Sequence, residues 1–122
     1  ADRLRPGGRL LGHYLAAATP AHRRPGPFTD RYVLSGAEFC TPTELVRTAR
    51  AARLEVASCV DISSQYAATM GRWSENLVEN WDECVAEVGE GSAKVWGLYL
   101  AGARIDAQTR GTLLQQLSAQ RA

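Results

Sequence analysis

The sequence predicts an α/β fold with about three strands and flanking helices. Three features carry this prediction: an apolar run behind a Pro-Gly-Gly turn, a capped helix followed at once by an alternating strand, and a long stretch of helical periodicity. With 122 residues and 45% hydrophobic content, the chain can bury a single core. Three strands alone leave an open edge and a half-covered face, so we expect the trailing half of a doubly wound α/β domain.

The first strand is predicted from Leu10 to Leu15, behind the turn Arg5-Pro6-Gly7-Gly8. Proline cannot extend a preceding helix and glycine opens the backbone, so this turn marks a stop before the strand. Residues 1–4 have the composition of a helix tail, which suggests that the body of that helix lies upstream.

Residues 16–35 are rich in proline and basic side chains and show no periodicity. Long structureless segments in compact domains tend to be lids or binding loops, so we expect a lid-like loop here. A solvated connector explains the same composition equally well.

A helix is predicted to begin at Thr41-Pro42-Thr43-Glu44 and to end near Arg53. Thr41 and Glu44 have the spacing of a capping box, and Pro42 suits the first helical position. The next residues alternate from Leu54 to Ile62 with the period of a strand. A helix followed directly by a strand is typical of α/β proteins.

Apolar residues then recur every three or four positions from Tyr66 to Val88, which predicts one long amphipathic helix ending at Gly89. Ser92 is placed to cap a further helix. The segment from Thr112 to Ala119 is predicted to be the closing strand.

Charge and cysteine content limit the classes of partner and the cellular compartment that the sequence favours. A formal net charge of +1 gives no basic face for nucleic acid. Cys40, Cys59 and Cys84 are odd in number and far apart, which favours a reducing cytoplasm over a disulfide framework or a metal site. No apolar run reaches the ~20 residues of a membrane span, although peripheral contact with the inner face of a membrane stays open.

The segment Tyr66 to Asn80 carries the most specific resemblance. It reads Y-A-A-T-M-G-R-W-S-E-N-L-V-E-N and resembles the segment Y-A-x-T-L-x-x-W-x-x-x-L-x-x-N of cyclopropane-fatty-acid and mycolic-acid cyclopropane synthases. The stretch at residues 4–11 is similar to the turn into the fifth strand of many class I methyltransferases, whose domain has a Rossmann-like fold. Further similar segments follow in the same order: residues 28–34 (F-I-D-R-Y-I-F in the family), 95–102 (V-W-x-L-Y-L-A-G) and 113–117 (L-x-Q-V-L).

The resemblance spans residues 1–122 and implies the C-terminal portion of an S-adenosylmethionine-dependent methyltransferase domain. In such enzymes a methyl group is transferred to the double bond of an unsaturated fatty acyl chain, and a bound bicarbonate removes a proton from the carbocation. The products are cyclopropanes or methyl and methylene branches. The acyl chain is carried on a phospholipid or on a carrier.

The resemblance also assigns site residues. His13 and Tyr66 match the side chains that hold the bicarbonate, and Leu15 matches a backbone ligand nearby. An imidazole N–H and a phenol O–H can both orient a small oxyanion. Taken without the resemblance, the residues favour His13 as a core histidine and Tyr66 as a member of the apolar stripe; with the resemblance, the ligand roles are favoured. Gln65 departs from the family, which usually has histidine there.

A helical segment at residues 64–104 is implied to line the acyl pocket. The residues that resemble pocket-lining positions of the mycolic-acid enzymes are Leu34, Phe39, Met70, Tyr99 and Ala103. The alternative for each is ordinary core packing. Arg23, Arg24 and Arg31 could bind a headgroup phosphate, but the sequence favours a solvated face for them.

The sequence contains no G-x-G-x-G motif. We therefore expect that these residues alone neither bind S-adenosylmethionine nor catalyse the reaction. Activity would need the rest of the domain, in one polypeptide or an oligomer. The competing hypothesis is a non-catalytic methyltransferase remnant that binds lipid or protein.

Overall fold

The computed structural model describes residues 3–122 and has the α/β architecture expected. Its helices and strands, in chain order, are β1 (Arg9–Ala17), a 3-10 turn (Pro20–His22), α1 (Pro27–Tyr32), α2 (Pro42–Ala51), β2 (Leu54–Asp61), α3 (Ser63–Glu79), α4 (Trp81–Val88), α5 (Glu90–Thr109) and β3 (Thr112–Arg121). The three predicted strands are confirmed, and the last one extends two residues further than expected.

The three strands form one sheet in the order β1-β3-β2. The last strand in the sequence is the central one, and it runs antiparallel to both neighbours. Each of the outer strands therefore pairs with β3 and not with the other.

The core lies on one face of this sheet. Alternate residues of β3 are buried, and helix α2 covers them through a cluster made of Ala49, Leu54, Leu117 and Ala119. The opposite face is open, since Leu11 on β1 is 66% exposed and Val60 on β2 is 48% exposed. The half-covered sheet predicted from the sequence is therefore present.

The capping box at the start of α2 is confirmed. The Thr41 hydroxyl accepts from the Glu44 backbone N–H, and the Glu44 carboxylate accepts from the Thr41 backbone N–H at 2.9 Å. The helix ends at Ala51, two residues before the predicted end, because Arg53 takes a left-handed φ of 59° that closes the turn into β2.

The prediction of a structureless loop over residues 16–35 is wrong in detail. Its first two residues, Ala16 and Ala17, complete β1, and the 3-10 turn and α1 lie within the remainder. Proline begins both short helices, at the position where its missing N–H costs nothing. A proline-rich segment can thus be helical in short pieces.

Strand β2 departs from simple alternation. A β-bulge between Val56 and Ser58 inserts an extra residue. Side chains after the bulge therefore lie on the opposite face of the sheet from the one that simple alternation predicts. Cys59 then lies on the buried face against Leu117, while Val60 is exposed. The alternation predicted through Val60 and Ile62 is wrong from the bulge onward.

The long helix predicted from Tyr66 to Val88 is two helices. Asn80 leaves helical geometry, with φ −112° and ψ 30°, and its side-chain amide donates to the Asn76 carbonyl at 2.8 Å. The Asn80 backbone N–H still donates to the same carbonyl, so the break between α3 and α4 lies in the backbone angles of Asn80. The cap of the next helix was also wrongly predicted, because Gly89 with φ 82° precedes α5 and Ser92 lies inside it.

The expected helix tail at residues 1–4 falls partly outside the described residues. Of that segment, Arg3 and Leu4 form a turn and a bend rather than a helix. The stop turn itself is confirmed, since the Gly8 N–H donates to the Arg5 carbonyl at 2.8 Å. Across residues 3–122, none of the helices is both long enough and apolar enough to span a bilayer.

Candidate functional site

A cavity of about 320 Å³ lies where the end of β1 meets the loop after it and helices α3 and α5. Five parts of the chain contribute to its wall. The lining residues are Leu15 from β1, Ala21, His22, Arg24, Pro25, Gly26, Thr29, Leu34 and Phe39 from the segment before α2, Tyr66 from α3, Tyr99, Gly102, Ala103 and Asp106 from α5, and Thr112 from β3.

Six of the eight site residues proposed from the sequence line this one cavity. They come from parts of the chain far apart in sequence, and they are Leu15, Leu34, Phe39, Tyr66, Tyr99 and Ala103. The fold therefore brings the proposed bicarbonate ligands Leu15 and Tyr66 to the same cavity as most of the proposed acyl-binding residues.

Two proposed site residues do not line the cavity. Met70 is 2% exposed and packs inside the α3–α5 pair, where it has the character of ordinary core. His13 lies two residues before Leu15 on β1 and is exposed on the open face. This exposure rules out the alternative that His13 is a core histidine.

The start of α3, which carries Tyr66, is fixed by a polar cluster around Asp61. Its carboxylate accepts from the Ser63 backbone N–H at 2.9 Å and from Arg110 at 2.5 Å. The buried Ser63 hydroxyl in turn accepts from the Leu114 N–H at 3.0 Å, which ties the helix to β3. Burial acts to raise the pKa of Asp61, but the hydrogen bonds from Ser63 and Arg110 outweigh it and lower the pKa.

Tyr66 is a half-buried polar group in the wall of the cavity. Burial raises the pKa of its phenol well above the usual range, and the nearby Tyr99 and Asp106 raise it further. The phenol is therefore protonated at every physiological pH and serves as a hydrogen-bond donor. A protonated phenol can donate to an oxyanion but cannot act as a phenolate base.

Asp106 is a lining residue that sequence reasoning missed. It follows Tyr99 by seven residues and Ala103 by three, the spacing that places all three side chains on one face of α5. That spacing was a usable signal. Its carboxylate lies beside Gly111, so that a Cβ at this position would force the Asp106 side chain to move.

The loop beside the cavity is fastened at its two ends. The Ala17 N–H donates to the Cys40 carbonyl at 2.9 Å, and the Phe39 N–H donates to the Arg23 carbonyl at 2.7 Å. Arg23 also forms an ion pair with Glu44, the capping residue of α2. The backbone bond from Thr41 and then the bond from Arg23 lower the pKa of Glu44 to about 2.

The basic cluster of the loop is engaged within the protein. Arg24 pairs with Glu38 at 2.6 Å, and the guanidinium of Arg31 lies 5.7 Å from the ring centre of Tyr32. With Arg23 bound to Glu44, each of these arginines has a local partner. These contacts agree with the solvated face that the sequence favoured over a headgroup site.

Comparison with solved structures gives the class of protein. The chain superimposes on a cyclopropane synthase from Mycobacterium tuberculosis with a TM-score of 0.85 at 20% identity, covering 97% of this chain and 46% of that one. A mycolic acid cyclopropane synthase solved with SAH and CTAB gives a TM-score of 0.85 at 21% identity over the same shares. The fold is thus part of a class I methyltransferase domain.

Sequence comparison gives the family. The family model described as mycolic acid cyclopropane synthetase matches residues 1–117. A protein of Mycobacterium tuberculosis named "Probable fatty acid methyltransferase" is 40% identical over 105 residues, which is 85% of this chain and 25% of that protein. The chain belongs to the mycolic acid cyclopropane synthetase family and spans about a quarter of this relative's length.

Proposed function

We propose that these residues form the acyl-and-base side of an S-adenosylmethionine-dependent methyltransferase that modifies double bonds of unsaturated fatty acyl chains. The observation that carries the proposal is the single cavity in which Leu15, Leu34, Phe39, Tyr66, Tyr99 and Ala103 meet. Family membership supports the reaction type, and the fatty acid methyltransferase relative supports an acyl substrate.

The wall of the cavity suits an acyl chain with one reactive point. Leu34, Phe39 and Ala103 offer apolar surface, which favours a hydrocarbon segment by removing it from water. Tyr66 adds a protonated donor to that surface. The cavity can therefore hold a chain along its apolar wall and present the Tyr66 phenol to it, beside the polar lining residues Tyr99 and Asp106.

Two of the three proposed bicarbonate ligands, Leu15 and Tyr66, line the cavity, which supports a bicarbonate bound there. The neutral phenol of Tyr66 donates to an oxyanion, and His13 and the backbone of Leu15 would complete its ligands. Bicarbonate supplies a base that accepts the proton lost from the methylated chain. Because Tyr66 keeps its own proton, its part is to orient the base and not to remove the proton itself.

The residues present do not fit S-adenosylmethionine, since the sequence has no G-x-G-x-G motif. We propose that the cofactor is bound by a part of the methyltransferase outside these 122 residues. The acyl chain is proposed to reach the cavity from a phospholipid or a carrier, with the protein in the cytoplasm and in peripheral contact with the membrane.

The test is transfer of labelled methyl groups from S-adenosylmethionine to vesicles of unsaturated phospholipid by the full-length polypeptide that contains this sequence. Tyr66→Phe should lower transfer by about 100-fold, within the usual range for groups that assist proton transfer. Tyr32→Phe is the matched control, because Tyr32 is 58% exposed and outside the cavity lining.

Two results would contradict the proposal. One is a wild-type protein that transfers no label to any unsaturated acyl substrate. The other is a Tyr66→Phe protein as active as the Tyr32→Phe control. The first result would favour the hypothesis of a non-catalytic remnant, and the second would remove Tyr66 from the proposed site.

A further inference from the structure

His13 and Gln116 form a hydrogen-bonded pair across two strands of the sheet. They are direct partners in the antiparallel register of β1 and β3, so their side chains share one face. The Gln116 Nε2 atom lies 2.7 Å from the His13 Nε2 atom. The pair is on the open face of the sheet, where His13 is exposed.

The two nitrogens determine which ring atom of His13 carries hydrogen. An amide nitrogen of glutamine only donates, so the Nε2 atom of the neutral imidazole is the acceptor. The hydrogen of the neutral ring is then on Nδ1. Gln116 thus selects one of two tautomers and leaves Nδ1 as the donor of His13.

The selected tautomer matters for an oxyanion. A ring nitrogen with hydrogen attracts an anionic oxygen, while a ring nitrogen with a lone pair repels it. If Nε2 carried the hydrogen and gave it to an acceptor at position 116, the remaining nitrogen would present only a lone pair. With its amide nitrogen toward Nε2, Gln116 donates there and that arrangement does not form, whereas the amide oxygen turned toward Nε2 would accept and give the other tautomer.

We propose that Gln116 is a positioning residue for His13, which holds the imidazole in the Nδ1–H tautomer so that it can donate to the base of the reaction. This inference rests on the proposed function, in which His13 holds that base. Gln116 itself does not touch the reacting atoms. Its contribution passes through the orientation and tautomer of His13.

A second cross-strand pair on the same face provides a control. The hydroxyls of Ser58 and Ser118 lie 3.1 Å apart, and Ser118 is two residues after Gln116 on β3. Ser118→Ala removes a cross-strand hydrogen bond without changing His13. If Gln116 contributes only a cross-strand hydrogen bond to stability, Ser118→Ala should lower methyl transfer as much as a substitution of Gln116 does.

The experiment compares Gln116→Met, Gln116→Lys and Ser118→Ala in the full-length polypeptide. Methionine keeps the length of the side chain and removes the donor, whereas lysine keeps a donor. Long-range ¹⁵N–¹H spectra report the tautomer of His13 directly. The signals of His13 are assigned by their loss in a His13→Ala sample, and His22, which bonds to Thr19, is an internal reference.

In the wild type and in Gln116→Lys we expect the Nδ1–H tautomer, and in Gln116→Met we expect exchange between both ring nitrogens. Methyl transfer should fall about 10-fold in Gln116→Met, at the low end for partners that orient liganding histidines. Ser118→Ala should keep both the tautomer and the rate. Together these results would support the proposal.

Two further outcomes separate this inference from the proposed function. A Gln116→Met protein that retains the Nδ1–H tautomer, or the full rate, overturns the role of Gln116 while the proposed function stands. A His13→Ala protein with the wild-type rate overturns the assignment of His13, and the role of Gln116 with it.

Discussion

The two faces of β3 differ in what covers them. On one face Gln115, Leu117 and Ala119 are 3%, 1% and 4% exposed beneath helix α2. On the other face Gln116 and Ser118 make polar contacts to His13 and Ser58 in the open. A single alternating strand therefore separates the residues that stabilise the fold from those that carry the proposed chemistry.

The largest expected effect is on the buried face. Leu117→Ala should lower the free energy of unfolding by about 2–5 kcal/mol, because it removes buried methyl groups and leaves a cavity. Leu11→Ala on the open face should change it by less than about 0.5 kcal/mol, since Leu11 is 66% exposed. Urea unfolding of both variants measures the difference, and equal losses would contradict the division between the faces.

A smaller effect is expected at the cap of the helix that covers the buried face. Thr41→Ala removes the side-chain acceptor for the Glu44 N–H and should lower the free energy of unfolding by about 1 kcal/mol. Thr43→Ala is the control, because Thr43 is exposed within the same first turn. Thermal melts should place Thr41→Ala below Thr43→Ala, and the reverse order would show that the cap contributes little.

The smallest effect is expected from pH. The pKa of Glu44 is lowered from 4.5 to about 2, so its contribution to stability is complete above about pH 4.5 and is lost as the pH falls toward 2. Glu44→Gln should therefore be less stable than wild type at pH 6, and the gap should close on acidification. Glu38→Gln is the control, since its pair with Arg24 lies between side chains that are 64% and 79% exposed. Melting temperatures measured from pH 6 to pH 2 test this prediction. If the difference between Glu44→Gln and wild type does not change with pH, Glu44 is not the source of the pH dependence.

The parts of the fold that could be predicted from sequence are those with a local physical signal. The capping box placed α2, the apolar run behind the Pro-Gly-Gly turn placed β1, and apolar alternation placed β2. The break at Asn80 was missed because the apolar stripe continues across it, so the periodicity of α3 and α4 looks unbroken. The bulge at Ala57 has no composition signal, since its neighbours are ordinary strand residues.

Part of the candidate site could also be predicted, but from the family resemblance and not from a local physical signal. Periodicity alone gives no cause to join Leu15, Phe39 and Tyr66, which lie on different elements; the family resemblance did so. Asp106 was missed because no segment of the resemblance reached it, although its spacing from Tyr99 on α5 was informative. Gln116 was missed because its role depends on strand register, which joins residues 103 positions apart in sequence.

The order β1-β3-β2 also has a consequence for how the chain folds. Neither β1 nor β2 has a strand partner among the described residues until β3 is available, and β3 is the last element of the sequence. Pairing of residues 9–17 with residues 112–121 closes a loop that contains nearly all of the chain, which is slow in conformational search. Among the described residues, neither outer strand can therefore form its ladder with β3 until residues 112–121 have left the ribosome.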